Sequence, residues 1–202
     1  MQHEKPTRRA RAQHEKQQRI IAAAAALFQE QGFDATTIEQ IAAQADVAKG
    51  TIFLYAESKL HLLLLIYEND LEQRVVEALA AIDSDAPVVE SLMALFAPFF
   101  ALYAQNIELA RRFVHAQLFL PADQPTHALT VLLGGLTARI RDWQASGRVA
   151  GDVDAMLAAQ TIFAIYFSVL AAWLGGRLPE TMRDAQLSAA LTLLWRGLSI
   201  NQ

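Results

Sequence analysis

Residues Thr36 to Lys59 read Thr-Thr-Ile-Glu-Gln-Ile-Ala-Ala-Gln-Ala-Asp-Val-Ala-Lys-Gly-Thr-Ile-Phe-Leu-Tyr-Ala-Glu-Ser-Lys, and their spacing decides the fold. Ile38, Ile41, Ala42 and Ala45 recur at i, i+3, i+4 and i+7, the apolar face of a short helix. Two capping boxes compete for its start, Thr36 with Glu39 and Thr37 with Gln40; in each, a hydroxyl and a side chain three residues on would meet orphan N–H groups. Asp46-Val47-Ala48 reads as a turn, because Asp tolerates a left-handed backbone and Val47 can plug the angle between two helices. From Lys49 a second helix places Ala48, Ile52 and Ala56 inward and leaves Lys49, Gly50, Thr51, Leu54 and Tyr55 facing out. A hydroxyl, a phenol, an ammonium and a bare glycine backbone suit a helix laid against phosphates and base edges. Ser58 caps a third helix with Lys59 in its first turn, a ready phosphate site. The pattern is a helix-turn-helix.

The stretch resembles the DNA-binding signature of the tetracycline-repressor (TetR) family of bacterial transcription regulators. There a Thr-Thr helix start is followed by Ile-Ala, a Gly-Val-Ser turn and Lys-Gly-Thr-Leu-Tyr-x-Tyr-Phe-x-Ser-Lys. This chain shares Thr36, Thr37, Ile41, Ala42, Ala45, Val47, Lys49, Gly50, Thr51, Tyr55, Ser58 and Lys59. It departs at Asp46, where the turn glycine is usual, and at Ala48, where a capping Ser is usual; such a cap is worth about 0.5–2 kcal/mol. Phe53 stands for a Tyr that can reach a phosphate, Ala56 for a core Phe, and Glu39 where a basic residue is common. The resemblance implies a ligand-responsive regulator, most simply a repressor, that binds a palindromic DNA operator as a homodimer and is released by a small effector. On it, Lys49, Gly50 and Leu54 approach base edges while Thr37, Thr51, Tyr55 and Lys59 hold phosphates.

Charge distribution supplies what the motif lacks. Thr36–Lys59 holds two lysines against Glu39, Asp46 and Glu57, and the whole chain has a net charge of −4. Within residues 1–19, however, Lys5, Arg8, Arg9, Arg11, Lys16 and Arg19 face only Glu4 and Glu15. That segment reads either as a solvated tail or as an arm in which Arg8, Arg9 and Arg11 attract the DNA backbone or enter a minor groove. Ile20, Ala24, Leu27 and Phe28 then mark a first helix over 20–31, ended by Gly32. Residues 1–60 are thus expected to form the arm and DNA-binding domain, and 61–202 a helical regulatory domain.

The rest reads as helices: a long one over 58–81, then 88–105, 107–120, 127–146, 154–175 and 181–199, giving an all-α chain. A hydrophobic share of 53% with 19% charged residues suffices for a packed core. Without cysteine there is no disulfide framework, and no apolar segment near the start reads as a signal peptide, so a cytoplasmic protein is expected. The segment 156–174 approaches a membrane span in length and apolarity but is interrupted by Gln160, Thr161 and Ser168, and a bundle core requires the same pattern. The resemblance implies a homodimer through the last two helices, 154–175 and 181–199. Aromatics in the body read either as core packing or as an effector pocket for a neutral, lipophilic small molecule, with Phe99, Tyr103, Phe113, His115, Phe119, Trp143, Phe163, Tyr166 and Phe167 as candidates and Gln117 and Gln160 as further polar groups. The five histidines show no metal spacing, and no phosphate loop or nucleophile elbow is present, so no enzyme, cofactor or metal is expected. The competing class is an all-helical protein-interaction module or small-molecule carrier, which duplex binding with a steep salt slope would exclude.

Overall fold

A computed structural model describes residues 8–83, 85–118 and 126–198. Their secondary structure is helical, in the order α1 (Arg8–Gln31), α2 (Ile38–Gln44), α3 (Lys49–Ile52), α4 (Lys59–Ala80), α5 (Val88–Ala104), α6 (Ile107–Gln117), α7 (His127–Ala145), α8 (Ala155–Leu174) and α9 (Glu180–Leu198). The chain forms two compact units that meet between Asn69 and Asp70, inside α4 instead of at its start.

The first unit is built on α1. Its expected face (Ile20, Ala24, Leu27, Phe28) is buried. The helix begins at Arg8, however, well before Ile20, so Arg8, Arg9 and Arg11 lie on a helix and not in an extended arm. Gly32 ends it in the left-handed region at φ 85°, open to glycine without a Cβ penalty. Of the two competing capping boxes, the second forms. Thr37 Oγ1 accepts from Gln40 N at 3.2 Å and Gln40 Oε1 accepts from Thr37 N at 2.8 Å. Thr36 is instead buried and donates to the Gly32 carbonyl at 2.8 Å, tying the end of α1 to the start of α2. Asp46 takes φ 52°, the left-handed turn expected of it.

Ile41, Ile52, Leu62 and Leu63 close this core with Phe28. Ala48, expected to face inward, is exposed: it sits at the N-cap of α3 in an extended conformation, before the helical period begins. Ser58 caps α4, its Oγ accepting from His61 N at 3.0 Å.

The second unit packs α8 against α7, α6 and α9, with α5 against α9 and α6. Asn106, Thr126 and Asp154 cap α6, α7 and α8 through side-chain oxygens, as their positions before apolar runs require. Gly135 of α7 lies where a Cβ would collide with the Leu79 side chain, so α7 approaches α4 as closely as a missing side chain permits. Helix α8 is long and apolar enough to cross a membrane. Here Ile162, Tyr166, Val169, Leu170 and Trp173 bury one side of it in the unit, which accounts for its composition as a core helix.

Candidate nucleic-acid interface and ligand cavity

Helix α3 covers only Lys49–Ile52, and the chain continues in tight turns: Leu54 N donates to Thr51 O and Tyr55 N to Ile52 O. Ile52 and Ala56 anchor this segment in the core. Lys49, Gly50 and Leu54 are exposed, Thr51 and Tyr55 half-buried, and Leu54 is 80% accessible. An added Cβ on Gly50 would meet nothing within 4 Å. The fold therefore does not need glycine there; its bare backbone matters only to something that approaches from outside.

Lys49 is not an isolated cation. Its ammonium is ion-paired with Glu39 of α2, and that hydrogen bond, foremost, holds the Glu39 carboxyl below the usual carboxylate range. Both groups are exposed, so the pair is a solvated contact that a phosphate or base edge can replace. Thr37 is exposed at the N-cap of α2.

Lys59 differs from its sequence reading. Its Nζ donates to the carbonyls of Phe33 at 2.6 Å, Thr36 at 2.8 Å and Asp34 at 3.2 Å, and lies 4.5 Å from the centre of the Phe33 ring. An ammonium has three hydrogens, and three carbonyls take them. Lys59 fastens α4 to the loop between α1 and α2; it is not a free donor for phosphate. Arg8, Arg9 and Arg11 are exposed along the first turns of α1.

In the second unit a cavity of about 350 Å³ is lined by residues of α4 to α8. Six of the nine candidates line it: Phe99 and Tyr103 from α5, Phe113 from α6, and Phe163, Tyr166 and Phe167 from α8. Gln117 lines it too. Two candidates, His115 and Trp143, are not on the described lining. His115 is exposed and off the lining, because it follows Phe113 and Val114 out of the buried arc of α6. Trp143 packs edge-on against Trp195, 6.4 Å between ring centres, beside a void of about 10 Å³, too small for a ligand. Phe119 lies outside the described residues. Gln160 is exposed on α8.

Sequence reading missed Leu71 and Val75 of α4, Leu170 of α8, and Thr126, Leu129 and Leu132 of α7. The first two lie in the long helix expected over 58–81; nothing distinguished the residues at 126–132 from ordinary core.

The described lining holds no Lys, Arg or His. Tyr166 is 3% exposed, its ring stacked on Phe96 at 4.3 Å. Burial first, and the neighbouring Tyr103 second, push that phenol well above the usual tyrosine range, so it stays protonated.

An exposed helix-turn-helix on one compact helical unit, with an apolar cavity inside another, defines a ligand-responsive DNA-binding regulator. Residues 20–66 match the model for bacterial regulatory proteins of the tetR family. The chain is 28% identical over 165 residues to the fatty acid metabolism regulator protein of Bacillus subtilis, covering 78% of this chain and 83% of that protein. It is 26% identical over 185 residues to the transcriptional repressor KstR of Mycobacterium tuberculosis, covering 91% and 82%. Among solved structures, Thermus thermophilus FadR, a TetR-family repressor in complex with lauroyl-CoA, aligns with a TM-score of 0.73 at 24% identity, covering 92% of this chain and 96% of that one. Residues 20–66 thus carry the DNA-binding signature of the tetR family, and the relatives that match over most of the chain are transcriptional regulators.

Proposed function

We propose that this repressor binds a palindromic operator as a homodimer and leaves it when the acyl chain of a fatty acyl thioester enters the cavity of the second unit. The observation that carries the reading is that cavity: about 350 Å³, lined by aromatic and aliphatic side chains and free of cationic residues among the described positions. At the roughly 30 Å³ that one water molecule occupies, it has room for about a dozen heavy atoms, the size of a medium acyl chain. Relatives named for fatty acid metabolism and a fold neighbour holding lauroyl-CoA support the class of ligand.

On the DNA side, Lys49, Gly50 and Leu54 face base edges in the major groove and Thr37, Thr51 and Tyr55 hold phosphates, with Arg8, Arg9 and Arg11 adding backbone attraction. Helix α4 carries Lys59 in the first unit and Leu71 and Val75 on the cavity wall, so one element bears both ends of the response. A ligand releases DNA only by binding the released state more tightly than the DNA-bound one. A cytoplasmic location follows from this role.

The test is a fluorescence-polarisation titration of the protein on a duplex carrying the palindrome nearest its own gene. Lauroyl-CoA should raise the apparent Kd at least tenfold while coenzyme A alone leaves it unchanged. Tight, salt-sensitive DNA binding that lauroyl-CoA does not alter would remove the acyl effector and leave the repressor.

A further inference from the structure

The exposed apolar side chains of the first unit are gathered in one place. Among its described residues, the large hydrophobic groups left open to solvent are Phe53, Leu54 and Leu60, all within residues 53–60, while Phe28, Ile41, Ile52, Leu62 and Leu63 are fully buried. Phe53 and Leu54 follow directly on α3, the segment that carries the outward-facing residues of the motif. Half of Phe53 and most of Leu54 is accessible. Their backbone is held from below. Leu54 N donates to Thr51 O, Tyr55 N and Ala56 N both donate to Ile52 O, and Ile52 and Ala56 are anchored in the core. The two side chains stay outside because the residues on either side of them are fixed inside.

The polar groups beside them are engaged or recessed. Lys49 is ion-paired with Glu39, Gly50 has no side chain, and Thr51 and Tyr55 are half-buried. Neither a phenyl nor an isobutyl group can bond a phosphate or the keto, amino and ring-nitrogen edges of a base. Against a G·C pair they would strip water from those polar atoms and return no hydrogen bond. The major groove presents one apolar group, the 5-methyl of thymine, and phenylalanine is among the side chains that contact it.

We propose that Phe53 and Leu54 read thymine through its 5-methyl group, so that each half of the operator carries an A·T pair where these two side chains meet the major groove. This rests on the reading of residues 49–55 as the segment that faces the bases, and adds to it the chemical group recognised. The two side chains gain by covering a methyl group and lose by covering a bare polar edge. One surface therefore favours A·T and disfavours G·C at that place.

The experiment compares the full chain with its double variant, Phe53→Ala with Leu54→Ala, on three duplexes by fluorescence polarisation. The first carries the palindrome nearest the protein's own gene; the second has uracil for every thymine of the two half-sites; the third has uracil in the flanks alone. Uracil keeps the hydrogen-bonding groups of thymine and lacks only the methyl. Wild type should bind the second duplex about fourfold more weakly for each methyl covered, the worth of one buried methyl group, and so about tenfold or more over two half-sites. Uracil in the flanks should leave its Kd unchanged. The double variant, shown to fold by its thermal melt, should bind the thymine duplex more weakly than wild type and lose less than about twofold on the second. An equal uracil penalty for both proteins would mean that the methyl groups act through duplex shape, and would overturn the proposal. So would a wild type indifferent to uracil, or half-sites without thymine. Absence of salt-sensitive binding to the unmodified duplex is a separate result: it removes the DNA-facing role of the segment, and this proposal with it.

Discussion

Lys59 shows how the same residue can be assigned two jobs by the same motif. From sequence, a lysine at the capped start of a helix in a DNA-binding motif reads as a phosphate ligand. Its three short bonds to Phe33, Asp34 and Thr36 carbonyls make it a staple instead. The two roles separate experimentally. Lys59→Ala removes charge-assisted bonds and should destabilise the protein by about 1.5–3 kcal/mol, seen as a lower thermal midpoint. At a temperature where the variant is fully folded, the slope of log Kd against log salt on duplex DNA should match wild type. A slope shallower by about 0.9 would mean that one phosphate contact had been lost, and would restore the phosphate role. No sequence pattern could have shown the staple, since its acceptors are backbone carbonyls more than twenty residues away, in a loop whose path depends on Gly32 and Thr36. The exposed face of α3, by contrast, was legible because it follows from helical period and the buried Ile52. Thr36 and Thr37 lie between these cases: the spacing allowed two capping boxes, and only packing of Thr36 against the end of α1 selects the second.

At the scale of elements, the helices were legible nearly to their ends because caps and apolar runs coincide: Asn106, Thr126 and Asp154 each precede a run that buries its periodic residues. Two differ: α3 stops at Ile52, short of Leu54 and Tyr55, and α1 starts well before its apolar period. Residues 8–19 carry no apolar face, so period alone could not extend α1 through them; Gln, Lys and Arg are good helix formers, and propagation from the packed half adds one bond per residue. This changes the form of their contribution to DNA binding. Arg8, Arg9 and Arg11 on a helix present a fixed set of guanidinium groups near one end of the head, instead of a flexible arm. Replacing all three by Ala keeps helix propensity and should leave the thermal midpoint within about 0.5 kcal/mol of wild type. Operator affinity should fall at low salt and the salt slope should decrease by about 0.9–2.7, for one to three phosphates released. An unchanged slope would show that these residues stay in solvent when DNA is bound.

For the whole molecule, the question is how a head that reads few bases acquires operator affinity. One recognition segment as short as Lys49–Tyr55 contacts too little DNA to be selective, and two-fold pairing doubles the reading at the distance of successive major grooves. In the proposed homodimer the last two helices would form the pairing surface. On α8, Leu157, Thr161, Ala164 and Ser168 follow one another at helical spacing, Thr161 partly and the others fully exposed; on α9, Met182, Gln186, Ala189 and Leu193 do the same. Leu157, Met182 and Leu193 are 62%, 56% and 70% accessible, apolar surface that a partner would cover. The small residues at the middle of each stripe, Ala164 and Ala189, allow a partner's helices to come close. A bulky charge there should act as a wedge, while remaining harmless to a single copy because the site faces outward. Ala164→Arg is therefore expected to fold with a normal helical spectrum, to sediment as a monomer at micromolar concentration where wild type is a dimer, and to bind the palindrome at least tenfold more weakly. A variant that stays dimeric would move the interface elsewhere on the second unit; one that is monomeric yet binds the palindrome as tightly as wild type would mean that a single head suffices, and the two-fold account of operator reading would fail.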